Sequence, residues 1–389
     1  MPTDVVSAAY RCRVLTDASA WDEMTPWWKA LLAASPPGIT PWQGLDYLAA
    51  WWRHLGARRQ LRLVVVERDG HPCLAMPLQV STRFEMIGMP VRMLEPVAMI
   101  MDVNRPRLAL GAPDPEAYRV ALDTLWERRR EWHLIRIDEK PADDPEAHLL
   151  REFAARHGLW YRDIYSHPCP YLDLRQDWDR YLATRSRRLR KNLRAARRRL
   201  EALGEVRLLE FREPAEMAAG LEQVVALHRR SWKRRKRIEQ SRSLRYQGLY
   251  REWLTALAVR RSARILVLSC GGRPVAATIA VMDDDTYYSA QIVHDEAFDS
   301  VSPGTLLESL EIEGLMRDRR YATYDFLGAF LGNKRRWTET AHDTSLVFVM
   351  QPTLATRLVE AYYFHAKPWI KQQLRRLAAR GGHSSPTAR

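Results

Sequence analysis

Two segments in the second half of the chain combine residue types that bind anions and move protons. The first is Ser302-Pro303-Gly304-Thr305, which joins a predicted strand to an apolar helix. Serine suits the cap of a helix, proline suits its first turn, and glycine lets a ligand approach the backbone. Free N–H groups and the positive dipole end make this segment a candidate phosphate site. Plain capping of a structural helix would explain the same residues.

The second segment runs from the predicted strand 322–325 into a cationic cluster. Asp325 ends the strand, Gly328 bends the chain, and Lys334, Arg335 and Arg336 follow. Ligands of α/β folds gather beyond the carboxyl ends of strands. Asp325 could therefore accept a proton or orient an amine, and Lys334 could bind a phosphate or a developing anion. A turn residue and a solvated surface are the alternative interpretations.

Cysteine and histidine spacing argues against a metal centre or a disulfide frame. Cys12, Cys73, Cys169 and Cys270 are widely separated, and the eleven histidines form no HExxH pair. This pattern predicts reduced thiols and no metal cofactor. Cys270, beside a Gly-Gly turn, and Cys169, after His167-Pro168, are the two candidates for a nucleophile. Because a cysteine nucleophile needs a partner base, and none is apparent in the sequence, ordinary thiols are favoured.

The positive charge is concentrated in two places. The chain of 389 residues has a net charge of +14, from 61 basic and 47 acidic residues. Residues 185–199 hold nine Lys/Arg and residues 229–237 hold seven, with no acid in either range. Such segments could meet phosphate, nucleic acid or anionic lipid. Aromatic residues that would stack on single strands are not interleaved in 185–199, and a solvated amphipathic helix is the simpler interpretation.

Composition excludes several classes of protein. Apolar residues make up 46% of the chain and aromatic residues 10%, which is incompatible with a disordered chain or a coiled-coil rod. We find neither a run of about 20 apolar residues nor a signal peptide, so we expect a cytoplasmic protein without integral membrane contact.

The two halves of the chain show the same order of predicted elements. Strands at 61–67 and 72–80 flank an Asp-Gly turn, and strands at 265–269 and 274–282 flank Gly271-Gly272, followed by a strand at 286–293. Each set is followed by a helix with proline near its start, Pro115 or Pro303, and then by a strand that ends in aspartate, at 134–138 or 322–325. We interpret this as a distant internal duplication. The common patterns of any two α/β halves are the alternative.

Helical periodicity completes the organisation. Helices are predicted at 21–33, 44–55, 177–203 (ending before Gly204), 214–232 and 244–260. We expect an N-terminal lobe over 1–170, a second lobe over 171–351, a helical segment over 352–380 with a break at Pro368, and a disordered tail over 381–389. The predicted fold class is α/β (α+β), with two tandem lobes, each a mixed, largely antiparallel sheet flanked by helices.

The order of short motifs resembles a bacterial GNAT-like acyltransferase group, the CelD/BcsL type associated with cellulose or exopolysaccharide synthesis. This group is related in fold to the Fem peptidyltransferases. The motifs extend over about residues 178–345 and are Tyr181-Leu182, Lys191-Asn192-Leu193-Arg194, Leu227-His228, Arg273-Pro274-Val275-Ala276, Ser302-Pro303-Gly304, Tyr324-Asp325-Phe326-Leu327-Gly328 and Asn333-Lys334-Arg335-Arg336-Trp337. In the first half, Trp42-Gln43-Gly44 fits more weakly.

The resemblance implies acyl transfer from acyl-CoA, as co-substrate, to an amine or hydroxyl of a small or saccharide-like acceptor. Under this hypothesis the donor-binding residues are Gln291, Ser302, Gly304 and Thr305, the catalytic residues are Tyr288, Asp325 and Lys334, and the substrate-binding residues are His294, Arg335 and Trp337. Backbone N–H groups of 288–291 would polarise the carbonyl, and Asp325, Glu311, His294 or water would take the proton.

Two departures from the family pattern keep alternatives open. The usual Q/R-x-x-G-x-G/A phosphate loop is missing, and Asn333 stands where the Fem relatives have an aromatic residue. A Fem-like transferase that draws its aminoacyl group from tRNA is one alternative, and a non-catalytic binding protein on the same fold is the other. The oligomeric state stays open.

Overall fold

One mixed sheet runs through the protein. The computed structural model describes residues 5–7, 10–83, 88–98, 105–142, 144, 147–231, 247–366, 369–370 and 373. In these ranges fourteen strands form a single sheet, and thirteen of them follow the order β1-β2-β3-β4-β5-β7-β14-β8-β13-β12-β11-β10-β9, with β6 paired to β4. The strands are β1 Val5–Ser7, β2 Tyr10–Leu15, β3 Gln60–Arg68, β4 His71–Arg83, β5 Val91–Pro96, β6 Leu110–Gly111, β7 Leu134–Pro141, β8 Trp160–Asp173, β9 Val206–Phe211, β10 Ala263–Cys270, β11 Arg273–Met282, β12 Thr286–His294, β13 Thr323–Asp325 and β14 Ala341–Met350.

Helices cover both faces of this sheet. They are α1 Ala20–Ala34, α2 Leu45–Leu55, α3 Pro115–Glu127, α4 Ala147–Arg156, α5 Trp178–Thr184, α6 Arg187–Leu203, α7 Met217–Arg230, α8 Gln247–Val259, α9 Pro303–Asp318 and α10 Leu354–Glu360. Short 3₁₀ helices occur at Pro41–Gln43 and Glu296–Val301. The predicted fold class is confirmed: the protein is mixed α/β, and its sheet is largely antiparallel.

The two halves repeat one topology. An antiparallel hairpin, β3–β4 or β10–β11, leads to a third strand, then to a helix, and then to a strand that pairs in parallel with the third strand. Asp69-Gly70 and Gly271-Gly272 have φ values of +52°, +77°, +56° and +76°. These are the values that tight hairpin turns require, which explains why the turns were readable from sequence.

Two long strands join the halves into one sheet. β8 pairs with β14 over most of its length, and its last residues pair with β13, where Tyr171 faces Asp325. β14 in turn pairs with β7 of the first half. The predicted lobe boundary at 170/171 therefore lies inside β8 instead of in a linker, and the last strand of the range 171–351 returns to the first half.

The predicted helix over 177–203 is two helices. α5 ends at Thr184, Arg185 is extended, and Ser186 caps α6 by accepting a hydrogen bond from the N–H of Leu189 at 3.2 Å. A serine cap starts a new helix even though the apolar periodicity continues through it. α6 ends before Gly204 as predicted. After α10 the chain forms a wider helical turn over Ala361–Ala366. Pro368, the tail 381–389 and most of the basic segment 229–237 lie outside the described residues.

A hydrophobic core shared by both halves supports the site. Trp42 and Trp51 of the first half are buried together with Trp253 and Tyr288 of the second. Trp42 and Trp253 have ring centroids 5.6 Å apart. This packing fixes the 3₁₀ helix Pro41–Gln43 against β12 of the other half.

Candidate active site

The sheet opens between β12 and β13. The parallel pairing of these strands ends at Tyr288 and Asp325. Beyond this pair, within the described residues, β12 is paired on its β11 side only. Its register with β11 shifts between Ser289 and Gln291, so Ala290 is an extra residue, a β-bulge. Bulges increase the local twist and redirect side chains, and they are common beside active sites.

Asp325 lies at the inner end of this opening. Its side chain is 1% exposed. Its Oδ2 accepts a hydrogen bond from Nη2 of Arg105 at 2.5 Å, and its Oδ1 accepts one from the N–H of Leu327 at 2.8 Å. Arg105 belongs to the first half, 220 residues earlier. The buried carboxylate thus has a charged partner from the other half of the protein.

Tyr288 is the register partner of Asp325 and lies on the same face of the sheet. Its hydroxyl donates to Oδ2 of Asp283 at 2.7 Å. Its ring meets the edge of Trp42, with centroids 5.5 Å apart and planes at 88°. Burial, followed by the nearby Asp283 carboxylate, raises the pKa of Tyr288, so the phenol is neutral and can donate a hydrogen bond throughout the physiological range.

Lys334 holds the loop that follows β13. Its Nζ donates to the carbonyl oxygens of Leu327 and Ala329, the latter at 3.1 Å. Leu327 also donates its N–H to Asp325, so the lysine supports the carboxylate through the loop. The structure therefore places Lys334 near the predicted catalytic pair and gives it a positioning role.

The start of α9 lies at the far end of β12. Ser302 is exposed in a left-handed conformation and makes no side-chain cap bond. The N–H groups of Thr305 and Leu306 donate to the Ser302 carbonyl, at 3.1 and 3.2 Å. Gly304 packs against His294: a Cβ at this glycine would lie 3.3 Å from His294 Nδ1. His294 Nε2 lies 2.8 Å from Asp299 Oδ1.

The cationic loop reaches the same helix. Nη1 of Arg336 donates to the hydroxyl of Thr305 at 2.5 Å, which brings a guanidinium to the first turn of α9. Trp337 is fully buried, and its Nε1 donates to Oε2 of Glu308 at 3.0 Å. The indole predicted to bind substrate is thus a core residue in this structure, since its apolar surface packs in the interior.

The remaining predicted residues lie apart. Gln291 bridges helices α7 and α8: its Oε1 is 3.2 Å from His228 Nε2, and its Nε2 donates to the Tyr250 hydroxyl at 3.3 Å. Arg335 is exposed over the ring of Phe330, with its guanidinium carbon 5.4 Å from the ring centre. The structure therefore brings together two sets, Tyr288, Asp325 and Lys334, and His294, Ser302, Gly304 and Thr305.

Two buried glutamates of α9 lie behind the site. Oε1 and Oε2 of Glu311 accept from the hydroxyls of Tyr287 and Tyr324, the latter at 2.7 Å. Burial raises the pKa of Glu311, and burial raises the pKa of Glu308 to about 7. Tyr287 and Tyr324 directly precede Tyr288 and Asp325 on their strands, so Glu311 lies on the other face of the sheet, away from the Asp325 carboxylate.

Cys169 lies beside His167, which has a distant partner in Glu139. His167 and Cys169 are two residues apart on β8, and Nε2 of His167 lies 3.2 Å from Oε1 of Glu139. Hydrogen bonds with Cys169 and then with Glu139 raise the pKa of His167 to about 10. The imidazole is therefore a cation at neutral pH. Cys270 is buried and donates to the Leu200 carbonyl at 3.3 Å.

Three residues around the site have left-handed backbone conformations that are unusual without glycine. Arg105, Ser302 and Leu327 have φ values of +35°, +52° and +50°. Such conformations cost free energy and cluster where a structure holds a functional geometry. Here they aim Arg105 at Asp325, begin α9 and turn the chain after β13.

Sequence reasoning missed Arg105 and the Ala290 bulge. No local signal marks Arg105, because its partner is distant in the chain. No turn or glycine residue marks the bulge in the sequence. In the structure it places Tyr288 and Gln291 on one face of β12, although residues three apart on a regular strand lie on opposite faces. Trp42 was noted only as part of a weak motif.

The part of the chain that follows the first lobe has a family match. Residues 187–337 match the model of the acetyltransferase (GNAT) domain. The match contains β12, α9 and β13, the elements that build the opening, and it supports an N-acyltransferase. No curated protein is similar to the chain by sequence.

Similarity to solved structures extends over nearly the whole chain. A tandem GNAT protein from the clavulanic acid biosynthesis pathway is 15% identical, with 88% of this chain and 99% of that chain covered and a TM-score of 0.50. The C-terminal domain of a putative lysylphosphatidylglycerol synthetase from Agrobacterium fabrum is 11% identical, with 89% and 95% covered and a TM-score of 0.50. FemX is 15% identical, with 86% and 98% covered and a TM-score of 0.46. The first two likenesses show that the fold is a known one, and the first of these two proteins is a tandem GNAT protein.

Two kinds of feature are absent from the described residues. No helix there is long and apolar enough to cross a membrane. No group of three or more His, Cys, Asp or Glu side chains in those residues could hold a metal ion.

Proposed function

We propose that this protein is an N-acyltransferase that moves an acyl group from acyl-CoA to an amine or hydroxyl of a small acceptor by direct attack. One observation carries the proposal: β12 and β13 separate just beyond Tyr288 and Asp325, at the bulge of Ala290. This leaves an edge of β12 in the middle of a sheet, beside a buried acid. Within a matched GNAT domain, such an opening suits a thioester laid along the strand.

The donor would enter from the start of α9. The N–H of Gly304 and the guanidinium of Arg336 supply donors for a phosphate there, as anion binding at a helix N-terminus requires. The fit is partial, because Pro303 has no N–H and Thr305 donates to the Ser302 carbonyl. Arg336 would therefore supply hydrogen-bond donors and positive potential for the phosphate, which glycine-rich loops supply through backbone N–H groups.

The acceptor would bind on the face of the sheet opposite to α9, where the side chains of Tyr288 and Asp325 lie. Residues from both halves of the protein line this face. Trp42 of the first half packs on Tyr288, and Arg105 pairs with Asp325. This arrangement gives the first lobe a role in the acceptor site. Contacts with Trp42 and Arg105 of the first half would also hold Tyr288 and Asp325 in place.

In the proposed step, the acceptor nitrogen attacks the thioester carbonyl. The new C–N bond forms, the C–S bond breaks, and coenzyme A leaves as the thiol after gaining a proton. Backbone N–H groups of 288–291 polarise the carbonyl, and Asp325 or a water bound to it accepts the proton from the nitrogen. Holding both reactants side by side supplies much of the rate increase.

The test is thermal unfolding followed by a transfer assay with acetyl-CoA and longer acyl-CoAs. Adenosine nucleotides of similar charge are the controls. A ligand at 100 times its Kd adds about 2.7 kcal/mol to the unfolding free energy. A shift in Tm specific to one acyl-CoA and retained at ~0.15 M salt, where surface charges are screened, supports the proposal. A shift common to all polyanions and lost in salt contradicts acyl-CoA as the donor.

Arg336→Gln should raise KM for the donor about tenfold and leave kcat nearly unchanged. The substitution removes one charge-assisted contact to phosphate, which is made equally in the ground and transition states. Arg335→Gln is the matched control, because Arg335 is adjacent but exposed over Phe330. Equal KM values for the two variants would show that the start of α9 is not the donor site.

We propose that the neutral hydroxyl of Tyr288 supplies the proton that the departing thiol gains, so Tyr288→Phe should reduce kcat about tenfold while the unfolding free energy falls by only about 1 kcal/mol. The ring and its packing on Trp42 are retained, and one buried hydrogen bond to Asp283 is lost. Steady-state kinetics and urea unfolding of the same preparation measure the two effects. A loss of stability without a loss of rate would limit Tyr288 to a structural role.

We propose further that the acceptor is saccharide-like and belongs to exopolysaccharide synthesis. Only the order of motifs supports this finer assignment. Assays with amino sugars and nucleotide-sugars as acceptors test it, with simple alkyl amines as controls.

Transfer from aminoacyl-tRNA is the alternative that a specific observation favours. α6 presents a row of exposed cations, with leucines and alanines on its buried face. Binding of tRNA to this row should weaken steeply as the salt concentration rises, because each phosphate that is neutralised releases counterions. Aminoacyl transfer from charged tRNA, with no turnover of acyl-CoA, would replace the leading proposal. Donor binding without turnover of either would favour a non-catalytic binding protein.

A further inference from the structure

The C-terminal helix has two apolar sides, and only one of them packs on the protein. Thr356 and Val359 of α10 are buried, and Tyr363 and Phe364 in the following turn pack against Phe348 of β14 at 5.5 and 5.8 Å. These contacts anchor the segment to the sheet. They leave the opposite side of the helix turned outward.

The outward side is also apolar. Leu354, Leu358 and Tyr362 follow at intervals of four residues, which places them in one row along the helix, with 69%, 41% and 37% of their surfaces exposed. Trp369 and Ile370 continue the apolar surface at 61% and 43% exposure. We call these five residues the outer row. Singly exposed apolar residues are normal, but a row of leucines and aromatic residues marks an interaction surface.

The sequence around the outer row is cationic. Residues 354–380 contain six Lys/Arg and one acid. That acid, Glu360, is already paired with Arg162 of β8. The basic residues are Arg357, Lys367, Lys371, Arg375, Arg376 and Arg380.

We propose that the outer row is a peripheral membrane-binding surface, which binds to the headgroup region of an anionic phospholipid bilayer. Leucine, tyrosine and tryptophan insert at the boundary between headgroups and acyl chains, and nearby lysine and arginine attract anionic lipid. A second copy of the chain fits worse, because two copies of a segment whose sequence has six basic residues and one acid repel each other. Nucleic acid would use the cations and leave Leu354 and Leu358 without a partner. The inference is independent of the acyltransferase proposal.

Sedimentation of the full-length protein with vesicles tests this surface. The vesicles contain phosphatidylglycerol with phosphatidylcholine, or phosphatidylcholine alone, at low and ~0.15 M salt. We expect binding to the anionic vesicles that weakens at least about tenfold in Leu354→Gln/Leu358→Gln, since two apolar side chains that would be buried in lipid are replaced by polar ones. Leu203→Gln/Val259→Gln is the matched control, because these side chains are 61% and 71% exposed and border other basic residues.

Three results would overturn the proposal. The first is no binding of the unmodified protein to anionic vesicles. The second is equal binding by the two double variants, which would mean that charge alone, for example on α6, holds the protein to lipid. The third is a dimer in light scattering that Leu354→Gln/Leu358→Gln converts to a monomer, which would assign the outer row to a second copy. Thermal unfolding of each variant checks that the fold is intact.

Discussion

Replacing Asp325 with asparagine is expected to reduce acyl transfer at least about a hundredfold and to lower the unfolding free energy by about 3 kcal/mol. The stability loss follows from burial, because the substitution leaves the largely buried Arg105 guanidinium without its charged partner. The rate loss follows from the proposed role of Asp325 in taking the acceptor proton. Urea unfolding and steady-state kinetics measure the two effects separately.

A second ion pair in the chain provides the matched control. Arg136 and Asp138 form a bidentate pair at 2.6 and 2.7 Å on β7, and the Arg136 side chain is 13% exposed, as is that of Arg105. Asp138→Asn should destabilise the protein and leave kcat unchanged. If Asp325→Asn also retains kcat, the carboxylate holds the two halves together and the proton goes elsewhere.

A double variant that also replaces Arg105 distinguishes the effect of the buried charge on stability from the effect of Asp325 on the reaction. Arg105→Gln/Asp325→Asn removes both charges, so part of the stability lost in the single variant should return, because no uncompensated charge stays buried. Activity should stay low in the double variant. Recovery of activity together with stability would mean that the single substitution acted only by disturbing the fold.

Local chemistry made the repeated elements predictable. Asp69-Gly70 and Gly271-Gly272 require left-handed φ values that few other residue pairs adopt, so the two hairpins were readable. Pro115 and Pro303 mark the first turns of α3 and α9 because proline lacks the N–H that is unpaired there. From these signals the mixed α/β fold follows, and the structure confirms it.

Pairings across the chain were not predictable in the same way. β14 lies between β7 and β8, and Arg105 meets Asp325 across 220 residues. No periodicity or turn residue encodes such contacts, since they depend on which strand edges remain after the local elements form. For this reason the lobe boundary was placed inside β8, and half of the central ion pair was missed.

Cationic and aromatic residues near a site are ambiguous in sequence for a physical reason. Lys334 and Arg336 share one loop, yet Lys334 binds carbonyl oxygens of the loop itself and Arg336 reaches Thr305. Trp337 reads as a surface aromatic beside charges, and its indole is buried because Glu308 offers an acceptor inside the core. Residue type sets what a side chain can bind, and the fold decides which partner is within reach.

The second large effect is expected at Glu308. Glu308→Gln should raise the unfolding free energy by about 3 kcal/mol above pH 7 and by almost nothing near pH 4. Burial raises the pKa of Glu308 from an ordinary 4.5 to about 7 in the folded protein. Below pH 4.5 the carboxyl is neutral in both states, so it costs nothing. As the pH rises from 4.5 to 7 the unfolded chain releases this proton and the folded protein keeps it, so folding loses free energy at 1.36 kcal/mol per pKa unit.

The comparison is made on the difference between the variant and the unmodified protein, because other groups titrate in the same window. Urea unfolding from pH 4 to 8 should give a difference that grows with pH between 4.5 and 7 and is constant above. Glu201→Gln, at an exposed glutamate paired with Arg197, is the control and should give a small difference with no such growth.

Trp337→Phe should raise the pKa of Glu308 and so shift this pH dependence of stability to higher pH. The indole N–H donates to the Glu308 carboxylate and favours its charged form, so its loss raises the pKa of Glu308 further. The penalty would then continue to grow above pH 7, where that of the unmodified protein is already constant. A downward shift of the transition, or a difference for Glu308→Gln that does not depend on pH, would mean that Glu308 is already ionised in the folded protein. Arg336, which contacts the same helix, would then be the residue that supplies the compensating charge.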